Sequence, residues 1–220
     1  MEEDLQRIHL KILVDAPADL SLDPFLAIFG RWRHDKNHPA EWVDLADYAH
    51  MAKGPGVMLG GKQCNFCVST DGPGLGLLYA GKKDFEGPVE NRVLEAFRHC
   101  IRLSIALAAE PEFPPEMTLN TQSWELFIND RLQFPNTDAT DRLLRAPIQA
   151  ALDELFGAGD YAMTRDTDNK RRYAFSIRAE KPETLNTLLG RADAYIERYE
   201  AQKAAEEQAR KEQKKSSRWF

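Results

Sequence analysis

Apolar and polar residues alternate at the start of the chain. In "RIHLKILVDA", Ile8, Leu10 and Ile12 are set against His9 and Lys11 before the run turns fully apolar. A period of two predicts an entering strand. "SLDPFLAIFGRW" follows with Phe25, Ile28, Phe29 and Trp32 at helical spacing, Pro24 at the first helical position, and Asp23 or Ser21 as the cap. "EWVDLADYAHM" reads as a second strand, Gly54-Pro55-Gly56 as a turn and "VMLGGKQCNFCVST" as a third strand. These residues, 43 to 70, are expected to form an antiparallel hairpin. "GLGLLYA" is a short fourth strand set off by Asp71-Gly72-Pro73-Gly74. From about Pro88 to Ala109 a long helix presents Val89, Val93, Phe97, Cys100, Ile101, Ser104 and Leu107 on one stripe.

"EPEFPPEM", residues 110–117, breaks the pattern, because its three prolines cannot continue a helix. The order then begins again. "SWELFIND" is a strand, "TDATDRLLRAPIQAALDELFG" a helix bent or restarted at Pro147, and "DYAMTRDTDNKRRYAFSIRAE" a hairpin turning at Asp168-Asn169. "PETLNTLLGRADAYIERY" is an amphipathic helix. The expected fold class is α+β: mainly antiparallel sheet with helices on one face, in two similar strand-helix-strand-strand-helix halves. The halves are residues 1–109 and 118–200, joined by the Pro-rich stretch 110–117. Residues 201–220 form a charged tail, helical or disordered, whose Glu206–Arg210 and Glu207–Lys211 spacings favour a helix with no core face.

Composition narrows the partners. The chain has 220 residues and a net charge of −6, which argues against nucleic-acid binding through bulk charge. Two local basic runs, Arg31, Arg33, His34 and Lys36, and Lys170, Arg171 and Arg172, read as solvated ends of elements. "CIRLSIALAA" is too short and too interrupted by Arg102 to span a bilayer. The acidic start "MEEDLQRIHL" has no export signal, and three cysteines suit reduced thiols, so a cytoplasmic location is expected.

Candidate chemistry centres on "VDLADYAHMAKGPGVMLGG". On a strand Asp44, Tyr48 and His50 share one face, while Val43, Leu45 and Asp47 share the other. A carboxylate beside an imidazole suits a general base or a metal shell. The structural alternative makes Asp47 a turn carboxylate that accepts bonds from the backbone around Gly54 and Gly56. Cys64 and Cys67 form a CxxC, but positions three apart on a strand point to opposite faces, so no metal site is expected from them. The glycines of "GPGLGLLYAG" lead into a strand and make no phosphate loop. His34 and His38 lie in "RHDKNHP", where the proline disfavours a helix. Asn129, Asp130 and Arg131 sit where a strand ends, and Arg131 suits a two-handed clamp on a carboxylate or phosphate.

"VDLADYAHMAKGPGVMLGG", "GLGLLY" and "INDRLQFPNT" together resemble an uncharacterised bacterial family frequent in cyanobacteria. In that family a similar Asp-Tyr-x-His stretch precedes Gly-Pro-Gly-Val, and a similar Asp-Arg-Leu precedes Pro-Asn. This chain departs from the pattern at Lys62, where the family pattern leads one to expect a histidine. The resemblance implies no activity. Two functional classes follow from the residues. The first is a non-catalytic binding or adaptor module, without cofactor, that meets a protein partner, a second copy of itself or a small anionic ligand. Asp44, Tyr48, His50, Asp130 and Arg131 are its contact candidates. The second is a hydrolase or metal-dependent enzyme using Asp44, Asp47, Tyr48 and His50.

Overall fold

The computed structural model describes residues 4–216 apart from 37, 39, 52 and 53. The expected α+β architecture is present as one antiparallel sheet of eight strands with its helices on one face. The first half supplies β1 (Ile8–Asp15), α1 (Asp23–His34), β2 (Trp42–Asp47), β3 (Val57–Gly61), β4 (Cys64–Ser69), β5 (Gly76–Gly81) and α2 (Val89–Ala108). The second supplies β6 (Thr118–Ile128), α3 (Asp138–Phe156), β7 (Tyr161–Arg165), β8 (Ala174–Ala179) and α4 (Leu185–Ser216). In sheet order the strands run β2-β3-β4-β5-β1-β6-β8-β7.

Each half pairs its first strand with its last, β1 with β5 and β6 with β8, and the two first strands meet antiparallel in the middle. That connectivity relates the halves by an approximate twofold rotation about the β1–β6 pair, and makes the β4–β5 and β7–β8 loops equivalent. The sheet is therefore continuous from one half to the other. Residues 110–117 are packed in place: Trp32 donates its indole N–H to Glu110, Arg31 bonds both Glu110 and Glu112, and Met117 is buried.

Register fixes which residues look where. Across the sheet, Leu59, Phe66, Tyr79, Leu10, Leu126 and Phe175 stand in one row, and Val57, Val68, Leu77, Ile12, Trp124 and Ile177 in the next. All are buried under the helices. α1 covers β2 and β3, with Phe29 against Phe66, and α2 covers β1 and β5. Phe156 of α3 meets Trp124, and Leu188, Ala192 and Ile196 of α4 complete the core. Ser21 accepts the N–H of Asp23 at the start of α1, and Thr137 caps α3 by accepting from Thr140.

Three expectations of the local reading need correction. "VMLGGKQCNFCVST" is two strands, because the chain reverses between Gly61 and Cys64. β2 stops at Asp47, so Tyr48 and His50 lie in the turn and do not continue the strand. α3 runs through Pro147 as one helix. The hairpin around Gly54-Pro55-Gly56 does form, between β2 and β3, with Asp47 opposite Val57. Gly56 makes it possible: its φ is +65°, and a Cβ there would lie 2.1 Å from the carbonyl oxygen of Val68.

Tail residues 201–213 are helical and exposed. Arg218, Trp219 and Phe220 lie outside the described residues. The core contacts of α4 all precede Glu200, and beyond it the exposed Lys203–Glu86 pair joins the tail to the body. Such a solvent-exposed pair adds little to stability. Truncation after Glu200 is expected to move the thermal midpoint by less than about 5 °C. A larger drop in a calorimetric scan would show that the tail packs.

Candidate functional site

The expected candidates divide between two distant places. Asp44 is exposed on β2, and its carboxylate accepts the N–H of Leu45. A register shift between Trp42 and Asp44 turns Val43 outward, 53% exposed, so it does not share the buried side with Leu45. Asp47 is exposed and accepts the N–H of Ala49. The backbone near Gly56 is engaged by Tyr48, whose N–H donates to the Gly56 carbonyl at 2.7 Å, and not by Asp47. His50 is exposed in the turn. Ala52 and Lys53, beside it, lie outside the described residues.

Asp130 and Arg131 follow β6, five strand positions from β2, roughly 24 Å at the usual strand spacing. They also sit at the opposite end of the strands, since Ile128 aligns with Ile8 at the start of β1 while Asp47 aligns with Val57 and Val68. One site cannot contain both groups. Asp130 shapes the loop by accepting the N–H groups of Leu132 and Gln133.

The cysteines are buried and free. Cys64 faces the helices with Phe66, and Cys67 faces the other side in the row of Leu78 and Lys11. Burial pushes their thiols, and that of Cys100, up to about 12. Among the described residues no three His, Cys, Asp or Glu side chains come close enough to hold a metal ion.

What the strand pattern alone did not reveal is on the uncovered face of the sheet. There Leu78, Lys11, Glu125, Ser176 and Thr164 form one row across β5, β1, β6, β8 and β7, with His9, Phe127 and Ala174 in the next. The β4–β5 loop folds over this face from one side and the β7–β8 loop from the other. Between them lies a cleft of about 880 Å³.

Lys11 fastens the first loop. It is only 1% exposed, its methylenes cross Gly76, and its ammonium donates to the carbonyl oxygens of Asp71 and Gly74. A Cβ at Gly76 would stand 2.5 Å from the Ile12 carbonyl oxygen and 2.6 Å from the Lys11 Cε. Burial lowers the Lys11 pKa, while Glu125 and Asp71 pull it back up. Asn136 fastens the second loop. It is 3% exposed and donates to the carbonyls of Asp166 and Asp168, while Pro135 bridges Arg172.

The wall built by the second loop is basic. Arg172 lies over the Phe127 ring, 4.2 Å from its centroid, and reaches 3.6 Å to Asp71 on the opposite loop. Arg171 pairs with Asp166 at 2.9 Å. Arg165 is committed below to Asp138 and Asn136. Arg131 and Lys170 line the same cleft, are exposed, and have no side-chain partner among the described residues. Glu125 is half-buried on the floor, and burial raises its pKa.

Of the candidates from sequence, Arg131 alone lines this cleft. The run Lys170, Arg171 and Arg172, read as a solvated end, forms its wall. A smaller cleft of about 300 Å³ after α3 is lined by side chains that include Arg191, paired with Glu183, and Asp153, which accepts from Tyr161. No helix among the described residues is long and apolar enough to cross a membrane. No protein-family model matches the chain and no curated protein is detectably similar to it.

Proposed function

We propose that the protein is a non-catalytic binding module that takes a small anionic ligand in the cleft between the β4–β5 and β7–β8 loops. One observation carries this reading: Arg131 and Lys170 stand on the cleft wall with no side-chain partner among the described residues, beside Arg171 and Arg172. A cleft of about 880 Å³ has the size of a small-molecule site. Guanidinium and ammonium groups lining one cleft without a protein carboxylate of their own suit a phosphate or carboxylate. The floor adds the hydroxyls of Ser176 and Thr164. Asp44 on β2 and Tyr48 and His50 in the turn after it line neither of these two clefts.

Isothermal titration with inorganic phosphate, pyrophosphate and citrate at low salt tests the reading. At least one of these anions is expected to bind, with affinity falling as salt is added. Arg131→Ala and Lys170→Ala should each weaken it about tenfold, the scale of one hydrogen bond to a charged group. Neither change should move stability by more than about 0.5 kcal/mol, because both side chains are exposed. Failure of all three anions to bind, or equal binding by both variants, would sink the proposal.

A further inference from the structure

The cleft holds an acceptor as well as donors. Among the described residues no hydrogen bond or ion pair reaches the carboxylate of Glu125, although it is half-buried on β6. Four charged groups surround it: Lys11 from β1, Asp71 from the β4–β5 loop, and Arg171 and Arg172 from the β7–β8 loop. The three cations are engaged elsewhere. Lys11 donates to the Asp71 and Gly74 carbonyls, Arg171 pairs with Asp166, and Arg172 is held by Asp71 and the Phe127 ring. A half-buried carboxylate without a donor is costly, and the usual remedy is a cation or N–H brought to it. Burial raising the pKa of Glu125 is the same cost seen as a titration. The first loop leaves room above it, since Gly72 has no side chain where a Cβ would lie 3.2 Å from Glu125 Oε2.

We infer that the ligand is a small zwitterion, with an ammonium group bound by Glu125 on the floor and a phosphate or carboxylate group bound by Arg131 and Lys170 on the wall. This rests on the anion-binding reading above and adds the second half of the ligand. An anion without an amine satisfies the wall and leaves Glu125 unpaired. A ligand carrying both groups satisfies donors and acceptor together, and the cleft then discriminates against either half alone. Glu125 is held in place by its strand pairing with β1 and β8, while the cations sit on loops.

Matched probes test this. Phosphoethanolamine and ethyl phosphate differ by the amine, as do β-alanine and propionate, and the two pairs distinguish a phosphate from a carboxylate head. All four are titrated at neutral pH into the full chain and into Glu125→Gln. The amine-bearing member of at least one pair is expected to bind the wild type at least about tenfold more tightly, on the order of 1.4 kcal/mol. In Glu125→Gln that preference should vanish while the amine-free anion binds as well as before or better. A thermal melt of the variant checks that it folds, and Glu125→Asp should keep part of the preference. Equal binding within both pairs by the wild type would overturn the zwitterion inference and leave the anion site standing. A preference that survives Glu125→Gln would overturn the role of Glu125. If neither pair binds and the inorganic anions also fail, the anion site itself is lost and the inference with it.

Discussion

Gly56→Ala is expected to cost on the order of 3 kcal/mol or more, the largest effect of any single change in the β2–β3 hairpin. Two penalties coincide there. The left-handed φ of +65° disfavours any residue with a Cβ, by roughly 1–2 kcal/mol. The new Cβ would also stand 2.1 Å from the carbonyl oxygen and 3.2 Å from the carbonyl carbon of Val68. Those are backbone atoms of β4, so relief requires shifting a strand that pairs with both β3 and β5. By contrast Asp47→Ala removes one acceptor from an exposed turn, where water replaces it, and should cost less than about 1 kcal/mol. His50→Ala should fall within about 0.5 kcal/mol, since His50 is exposed. Urea melts of the three variants rank them. Were Asp47→Ala the most damaging, its carboxylate would hold more of the turn than its single bond to Ala49.

The fold was legible because its signals are periodic. Alternation in "RIHLKI" and "RYAFSI" marks β1 and β8, and the stripe from Val89 to Leu107 marks α2; each gave both the element and its buried side. The split of residues 57 to 70 into β3 and β4 was missed because Gly60-Gly61-Lys62-Gln63 lies inside an otherwise strand-like run. A glycine pair there signals a reversal as well as a bulge. The cleft was harder to see for a different reason. Arg131 stood out from its position after a strand, but Lys11, Glu125 and Arg172 meet only through the β1–β6 register and the folding of two loops across the sheet. Nothing local specifies that register. One clue was present: central strands with helices on one face must turn their alternate residues to the other, and in β1 and β6 those include His9, Lys11 and Glu125.

The same face makes stability sensitive to acid. His9 stands beside Phe127, ring centroids 5.2 Å apart, with Arg172 lying over the far ring and Arg7 two residues back. Burial, reinforced by those two cations, lowers its pKa from 6.5 to about 4. The unfolded chain therefore takes up a proton below pH 6.5 that the folded chain refuses until about pH 4. Stability contributed by neutral His9 is full above pH 6.5 and is lost as the pH falls toward 4, by about 3 kcal/mol in all. His99, between the Tyr79 and Phe85 rings and beside Arg98 and Arg102, shifts the same way, to about 4. It is two-fifths exposed, so water recovers part of the cost and its share is smaller. Glu95 and Glu125, whose pKa values burial raises, act in the opposite sense and are stabilised by protonation in the folded state. The variant His9→Gln separates these contributions, because glutamine keeps hydrogen-bonding capacity without titrating. Denaturant melts from neutral pH down to about pH 4 should show the wild type losing roughly 3 kcal/mol more than His9→Gln over that window. Parallel losses in the two proteins would mean that His9 protonates in place, against Arg172, without unfolding the sheet beneath it.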